Sequence, residues 1–306
     1  MKVAIVGQQD FGKAVLEALL ARGDAVAAVF CAPEKEGARP DALRVAAQER
    51  GLTVHQFKSL KAPEAVEAMK AADAEIGIMA YVLQFAPQEF VNIPKHGTIQ
   101  YHPSLLPKYR GPSSISWPII CGERETGLTI FRPSDGLDEG AIILQKRAPI
   151  GPDDTLGSVY FERLFPMGVA AMLEAADLVV AGKHSETVQD ESQATYEGWC
   201  RDAESKINWA NHSSIVYNLI RGCAPAPGAW TTFNGAKLWI YEGRLEKVVT
   251  FGAVKGKIGE VVAAADGKLV VSSQSGRIHI LKAKLGEGKK VAGDALGIAA
   301  GSFLGT

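Results

Sequence analysis

The first hundred residues alternate short apolar runs with amphipathic segments. The predicted strands cover 3–6, 25–30, 54–57, 75–80 and 98–101, and the predicted helices cover 11–22, 41–50 and 63–70. A parallel pair of strands needs a crossover connection, and a helix is its usual form. The alternation therefore predicts an α/β fold with a doubly wound, mostly parallel sheet.

The rest of the chain changes its pattern twice. Residues 155–180 predict one long amphipathic helix with a kink near Pro166, and residues 181–204 lose apolar periodicity, which predicts a linker. A further helix is predicted over 213–221, and strand-like runs cover 237–241, 259–262, 269–272 and 277–281. Many short strands in about a hundred residues predict a small β-barrel. We therefore expect two domains, 1–204 and 205–306.

Composition narrows the class of protein. The chain has 306 residues, of which 47% are hydrophobic and 22% charged, so it can bury sizeable cores. It has no apolar run of membrane-spanning length and begins with a predicted strand, so we expect a soluble, cytoplasmic protein without a membrane partner. The four cysteines lack CxxC spacing, which predicts reduced thiols and no metal: Cys31, Cys121, Cys200 and Cys223.

Charge is distributed unevenly along the chain. Residues 205–306 carry 13 Lys and Arg against 6 Asp and Glu, a net +7, which leaves −8 for residues 1–204. A basic C-terminal half is expected of a domain that binds an anionic partner such as tRNA. An ordinary solvated β-domain surface would give the same count, so both interpretations stay open.

The stretch from 97 to 144 holds the candidate chemistry. The strand 98–101 runs into His102, followed by a proline, so His102 lies at the C-terminal edge of the predicted sheet, where ligands bind in α/β folds. The polar loop 134–140 separates two apolar runs, and a hairpin return there would bring Asp138 to His102. An imidazole and a carboxylate are sufficient to move a proton near neutral pH.

The turn after the first strand does not predict a nicotinamide cofactor. It reads GQQDFG over 7–12, which departs from GxGxxG, and the second strand lacks a well-placed acid after it. We therefore expect no NAD. The helix N-terminus at this turn remains suited to an anionic acceptor or to a pocket wall.

Two motifs connect the stretch to a known family. Residues 102–111 read HPSLLPKYRG and residues 136–140 read GLDEG, which resembles the signature of the formyltransferases and hydrolases that use 10-formyltetrahydrofolate. Segments 81–87, 206–209, 220–222 and 227–230 resemble the family's folate loop and C-terminal domain. Within the family, these motifs resemble first the hydrolase domain of 10-formyltetrahydrofolate dehydrogenases. The methionyl-tRNA formyltransferases come second. The resemblance implies a Rossmann-like domain, an open OB-like barrel and a reduced folate as formyl donor.

The resemblance also implies a set of catalytic residues. His102 and Asp138 occupy the family's catalytic places, although the sequence does not decide whether Asp138 orients the imidazole or acts as the base. Gln100 stands where the family's transferases have asparagine, and its longer amide is a candidate oxyanion donor. This departure favours hydrolysis over transfer.

The folate pocket is expected between two loops, one over 81–87 and one over 135–140. The candidate folate-binding residues are Tyr81, Leu83, Phe85, Pro87, Ser104, Asp135, Gly136 and Leu137. An aromatic and apolar loop suits a flat pterin, although core packing would select the same residues. Lys108 and Arg110 are candidates to attract the glutamate tail of folate or a phosphate of the acceptor.

These residues favour an enzyme that cleaves 10-formyltetrahydrofolate to tetrahydrofolate and formate. The alternative is formyl transfer to methionyl-tRNA or a small amine, but the loop 31–43 has a net charge of −1, which does not favour phosphate. A weaker alternative is a non-catalytic folate-binding module. The sequence fixes neither the acceptor, nor the oligomeric state, nor whether the chain is a whole protein or the front of a longer dehydrogenase.

Overall fold

The computed structural model describes residues 1–247 and 256–305. They form two compact units. The first comprises Met1–Gly111, Gly127–Ala148 and Arg163–Tyr196, and the second comprises Pro112–Thr126, Pro149–Glu162 and the described residues from Glu197 onward. The domain boundary at residue 204 stays a prediction, and parts of the predicted domain 205–306, namely 248–255 and 306, lie outside the described residues.

The first sheet has seven strands in the order β3-β2-β1-β4-β5-β6-β7. Their bounds are Lys2–Gly7 for β1, Ala25–Cys31 for β2, Val54–Gln56 for β3, Ile76–Ala80 for β4, Thr98–His102 for β5, Glu125–Phe131 for β6 and Ile142–Pro149 for β7. The strands β1 to β5 pair in parallel, whereas β6 pairs antiparallel with β5. The predicted doubly wound, mostly parallel sheet is confirmed.

The helices that belong to the parallel strands also follow the prediction. The first seven α-helices are α1 Gln9–Ala21, α2 Ala42–Glu49, α3 Pro63–Ala72, α4 Gln88–Val91, α5 Ser116–Ile120, α6 Leu156–Val159 and α7 Phe165–Val180. The start of α2 is fixed by Asp41, whose side chain accepts hydrogen bonds from the backbone N–H groups of Leu43 and Arg44. Pro63 occupies the first turn of α3, where its missing N–H costs nothing.

Each face of the parallel sheet packs against its own apolar cluster. Ile99 and Tyr101 of β5 face the cluster that contains α1 and α7, and the Tyr101 ring stacks on Phe11 with centroids 4.3 Å apart. Because side chains alternate along a strand, Gln100 and His102 point to the opposite face. The alternation therefore keeps the two polar side chains out of this core.

The predicted helix over 155–180 is interrupted. A π-helical turn, Tyr160–Leu164, separates α6 from α7. Pro166 has no N–H to donate to the carbonyl four residues earlier, and its ring crowds that carbonyl, so the helix widens just before it. The expected kink near Pro166 takes this form, and the predicted long helix is divided into α6 and α7.

The second unit is built on an antiparallel sheet with the strand order β10-β11-β12-β9-β8 and with β13 beside β12. In its part from residue 197 onward, the α-helix and the strands are α8 Ser213–Gly222, β8 Ala229–Phe233, β9 Ala236–Lys247, β10 Val261–Ala265, β11 Lys268–Ser273, β12 Gly276–Leu285 and β13 Val291–Ala292. Apolar side chains of α8 and of the strands form one core, with Ile220, Ile240 and Ile280 among them. The predicted open, OB-like C-terminal domain is confirmed.

Two cysteines that are distant in sequence meet in the second unit. The Sγ atoms of Cys200 and Cys223 lie 3.6 Å apart and both side chains are buried. The hydrogen bond between the two thiols lowers the pKa of Cys200 and raises that of Cys223. The sequence spacing gave no indication of this pair.

Within 1–247 and 256–305, no helix combines the length and the hydropathy that crossing a membrane requires.

Candidate active site

The candidate site lies at the C-terminal edge of the parallel sheet. The strand order runs from β1 to β2 on one side and has β4 on the other side of β1, so the connections diverge at this point, where open α/β sheets bind their ligands. The ends of β1 and β4 approach so closely that a Cβ on Gly7 would lie 2.2 Å from the Ala80 carbonyl oxygen. Glycine is therefore required at this point of the edge.

His102 is the last residue of β5 and is 6% exposed. Its Nε2 lies 2.8 Å from the carbonyl oxygen of Tyr109. A carbonyl oxygen can only accept, so Nε2 carries the hydrogen of this bond. The other ring nitrogen, Nδ1, faces the Asp138 carboxylate, with Oδ2 3.5 Å away.

Asp138 lies on the loop between β6 and β7 and is also nine-tenths buried. Its backbone is left-handed, with a φ of 56°, and its Oδ2 accepts a hydrogen bond of 2.8 Å from the backbone N–H of Gly111. At Gly140 a Cβ would lie 1.5 Å from the Arg132 carbonyl oxygen, so the loop closes tightly. The structure thus brings Asp138 to His102, while the roles of the two side chains stay predictions.

Gln100 lies two residues before His102 on β5. It is half-buried and its neighbours in the sheet register are Met79 on β4 and Phe131 on β6. Residues two apart on a strand share a face, so Gln100 and His102 are on the same side of the sheet. The predicted oxyanion role of Gln100 remains a prediction.

The loop after β4 presents apolar side chains at its surface. Tyr81, Leu83 and Phe85 are 37%, 58% and 47% exposed, and Pro87 precedes α4 as its N-cap residue. The backbone of Tyr81 is left-handed, with a φ of 61°. Strained backbone and exposed apolar side chains both concentrate at ligand sites.

This loop is joined to the loop that carries Asp138. The Gln88 side chain donates a hydrogen bond of 3.1 Å from Nε2 to the carbonyl oxygen of Pro133. Leu137 on the second loop is 55% exposed, Asp135 is exposed and Gly136 is partly exposed. The two predicted pocket walls are therefore adjacent.

Ser104 is placed differently from the pocket-lining side chains. It is fully buried, and its hydroxyl donates a hydrogen bond of 2.7 Å to the carbonyl oxygen of Lys108. Its own carbonyl oxygen accepts a bond of 2.7 Å from the Thr129 hydroxyl. Ser104 thus holds the turn after β5 in shape, and a direct contact with folate stays a prediction.

Arg110 does not have the exposed position that was expected for a residue attracting an anion. It is 0% exposed, and its guanidinium donates to both carboxylate oxygens of Glu191, at 2.6 and 2.9 Å. The hydrogen bond to Glu191 raises the pKa of Arg110 and lowers that of Glu191. The interpretation of Arg110 as a group for folate or phosphate is wrong, because its donors are committed within the protein, whereas Lys108 is exposed.

Sequence reasoning missed three groups around the pair. Tyr109 and Gly111 meet the pair through backbone atoms, which side-chain patterns do not reveal. Gln189 bonds to the Asp138 loop from within the predicted linker, 51 residues downstream of Asp138. Nothing in the local sequence of that segment signals the contact.

In the part of the chain that the structure describes, no group of three or more His, Cys, Asp or Glu side chains is arranged to hold a metal ion. That the protein uses neither a metal nor NAD stays a prediction.

Comparison with known proteins identifies the family. The model named "Formyl transferase" matches residues 1–175, which is more than half of the chain. The chain belongs to this formyl transferase family. A second model, "Formyl transferase, C-terminal domain", matches residues 200–298.

Two relatives in the formyl transferase family differ in how much of their own length this chain covers. The chain is 40% identical over 250 residues to the cytosolic 10-formyltetrahydrofolate dehydrogenase of Mus musculus, a match that covers 80% of this chain and 28% of the dehydrogenase. It is 35% identical over 315 residues to the methionyl-tRNA formyltransferase of Geotalea uraniireducens, covering 100% of this chain and 98% of that protein. The chain thus spans less than a third of the dehydrogenases it matches.

A solved structure supports the fold. HypX from Aquifex aeolicus, in complex with tetrahydrofolic acid, superposes with a TM-score of 0.69 at 20% identity, over 97% of this chain and 46% of HypX. Formyl transferases are enzymes that use formyltetrahydrofolate, so folate-dependent formyl chemistry is the chemistry of the family to which this site belongs.

Proposed function

We propose that the protein hydrolyses 10-formyltetrahydrofolate to tetrahydrofolate and formate. The observation that carries the proposal is the buried pair of His102 and Asp138, with Nδ1 and Oδ2 3.5 Å apart at the C-terminal edge of the sheet. Removal from bulk water strengthens the electrostatic effect of both groups on a reacting atom. The N–H of Gly111 fixes the carboxylate that faces the ring.

In the proposed reaction, a water oxygen attacks the formyl carbon, and the His102 and Asp138 pair takes the proton that the water loses. Negative charge develops on the formyl oxygen, for which we assign the Gln100 amide as a hydrogen-bond donor. When the bond between the formyl carbon and N10 breaks, N10 takes a proton from the pair. The products are tetrahydrofolate and formic acid, which ionises to formate.

We assign the folate to the space between the 81–87 and 135–140 loops. Tyr81, Leu83, Phe85 and Leu137 offer exposed apolar surface there, and a flat pterin would cover it. The side-chain bond from Gln88 to the Pro133 carbonyl keeps the two loops together.

Three features favour water as the acceptor. The identity to 10-formyltetrahydrofolate dehydrogenases is higher than to the methionyl-tRNA formyltransferase. Gln100 replaces the asparagine of the family's transferases. In the acidic 31–43 loop, Glu34 pairs with Arg44 at 2.5 Å, so this arginine is already neutralised and contributes little attraction for a phosphate.

Formyl transfer to methionyl-tRNA is the second candidate, and one surface favours it. In the C-terminal domain, lysine ammonium groups lie over aromatic rings: Lys284 is 4.9 Å from the centroid of Trp239 and Lys290 is 3.6 Å from that of Tyr241. Lys237, 4.0 Å from the centroid of Trp230, also pairs with the Asp202 carboxylate. Cations beside aromatic rings suit nucleic acids. The methionyl-tRNA formyltransferase also matches this chain over its whole length.

The test is to incubate the protein with 10-formyltetrahydrofolate alone, then with methionyl-tRNA or with small amines, and to quantify tetrahydrofolate, formate and formylated products. We expect tetrahydrofolate and formate in equal amounts without any amine. Tetrahydrofolate release that requires an amine, with negligible formate in its absence, would establish the transferase instead. Folate binding without turnover under every condition would support the non-catalytic module.

A further inference from the structure

The side chain of Gln189 bonds directly to the backbone of the loop that carries Asp138. Gln189 is 5% exposed, and its Nε2 donates to the carbonyl oxygen of Asp138 at 2.7 Å and to that of Gly140 at 2.8 Å. An amide nitrogen has two hydrogens, so both are used. The two acceptors belong to the residues on either side of Glu139.

The orientation of this amide is fixed from the other side by Arg110. The Oε1 of Gln189 accepts hydrogen bonds from Nε of Arg110 at 3.1 Å and from Nη2 at 2.9 Å. The Arg110 guanidinium is itself held by Glu191. A flipped amide would set N–H groups against the guanidinium and an oxygen against two carbonyls, so only one orientation satisfies every buried group.

The loop needs such a restraint because its backbone is unusual. Asp138 has a left-handed φ of 56°, a region that residues with a Cβ seldom occupy. The hydroxyl of Tyr196 adds a hydrogen bond to the Glu139 carboxylate. Residues 138, 139 and 140 are thus each tied to the segment 189–196, and the Asp138 carboxylate is left facing His102.

We propose that Gln189 is a positioning residue that holds the Asp138 carboxylate at the His102 imidazole through the two peptide carbonyls of its loop. The proposal rests on the proposed function for its catalytic consequence. Gln189 itself touches neither the imidazole nor the carboxylate, so it acts on turnover through geometry.

Two substitutions separate this role from simple core filling. Gln189→Leu removes both sets of hydrogen bonds. Gln189→Glu keeps an oxygen for Arg110 but presents no donor to the carbonyls of Asp138 and Gly140. The matched control is Gln193→Leu, since Gln193 is an exposed glutamine of the same segment that bonds locally to Asp190.

We expect kcat for tetrahydrofolate release to fall by about 10- to 100-fold in both Gln189 variants, because small displacements of a catalytic group are costly. KM for 10-formyltetrahydrofolate should stay within about threefold, since the carboxylate acts on the reacting centre rather than on pterin binding. The control should match the wild type. A Gln189→Glu variant with wild-type kcat would overturn the proposal, because it would show that pairing Arg110 is the whole role.

Backbone hydrogen exchange provides a readout that does not depend on activity. Exchange in a peptide covering residues 134–141 should accelerate in Gln189→Leu and Gln189→Glu and stay unchanged in Gln193→Leu, with the β1 peptide as an internal reference for global stability. Unchanged exchange in both Gln189 variants would refute the positioning role. A wild-type protein that releases no formate would refute the proposed hydrolysis but leave this result on the loop standing.

Discussion

Asp138 has the backbone of a turn residue and the surroundings of a buried one. Its left-handed φ allows the chain to reverse between β6 and β7, and aspartate tolerates this conformation better than most residues. Its Oδ2 meets the Gly111 N–H at 2.8 Å and the His102 ring at 3.5 Å. Changing the carboxylate to an amide would therefore alter charge while retaining size.

We expect Asp138→Asn and His102→Ala each to lower turnover of 10-formyltetrahydrofolate by about 10² to 10⁴, the usual loss for a general acid or base. Folate affinity should stay within a few-fold, since neither group is assigned to the pterin. Steady-state kinetics and equilibrium folate binding would check this. Asp177→Asn, at a surface carboxylate that pairs with Arg22, is the control. Either variant retaining more than about a tenth of the activity would remove that residue from the mechanism.

At the scale of elements, Glu34 ties the connection between β2 and α2. Its carboxylate accepts a hydrogen bond of 2.9 Å from the backbone N–H of Asp41 and one from Arg44. The Asp41 side chain caps α2 and also accepts a bond of 2.7 Å from the N–H of Gln9, at the start of α1. The Glu34 carboxylate thus holds Asp41, and the Asp41 side chain in turn bonds to the N-terminal ends of both α1 and α2.

The protonation of Glu34 follows from these contacts. Desolvation raises its pKa, but hydrogen bonds from the Asp41 N–H, Gln56 and Arg44 outweigh it and bring the pKa from 4.5 to about 2. A carboxylate with a depressed pKa stabilises the folded state above its unfolded pKa. That contribution is lost as the pH falls from about 4.5 through about 2.

We expect Glu34→Gln to lower the free energy of unfolding at pH 7 by about 1–2 kcal/mol, the scale of hydrogen bonds to a partly exposed charged group. The difference from the wild type should shrink as the pH falls below about 4.5. Denaturant unfolding at a series of pH values would measure it, with Glu36→Gln as an exposed control on the same loop. A difference that stays constant down to pH 2 would contradict the assignment.

At the scale of the whole molecule, the charge asymmetry invites a test with nucleic acid. The excess of +7 in residues 205–306 includes the lysines that lie over Trp230, Trp239 and Tyr241. Such a surface attracts phosphate without needing sequence recognition. Electrostatic binding of this kind differs from the specific binding of methionyl-tRNA as a formyl acceptor.

We expect tRNA to bind electrostatically, with an affinity that falls by about tenfold or more between about 50 and 200 mM salt. The double substitution Lys284→Ala with Lys290→Ala should weaken binding, because both lysines lie over aromatic rings of the C-terminal domain, while Lys95→Ala, an exposed lysine of the first unit, should not. Methionyl-tRNA should leave formate release unchanged and remain unformylated. Salt-resistant binding together with a formylated product would favour the transferase.

The fold and the centre of the site could be predicted because their signals are local. The alternation of strand and helix patterns predicted the parallel sheet. The strand that ends at His102, just before a proline, predicted that the imidazole lies at the C-terminal edge of this sheet. Glycines and polar residues around Asp138 predicted the hairpin return that brings the carboxylate back. Backbone propensity and hydrophobic periodicity act over neighbouring residues, so a single sequence displays them.

Other features depended on tertiary structure. Arg110 is buried because Glu191, 81 residues away, supplies its carboxylate, and the loop of Asp138 is held by Gln189, 51 residues downstream. The thiols of Cys200 and Cys223 meet although 23 residues separate them. Contacts of this kind exist only after the chain has folded, since the desolvation of a charge or an amide must be matched by a partner that packing brings to it. Sequence by itself thus determined which groups carry the candidate chemistry, and tertiary structure decided what holds them in place.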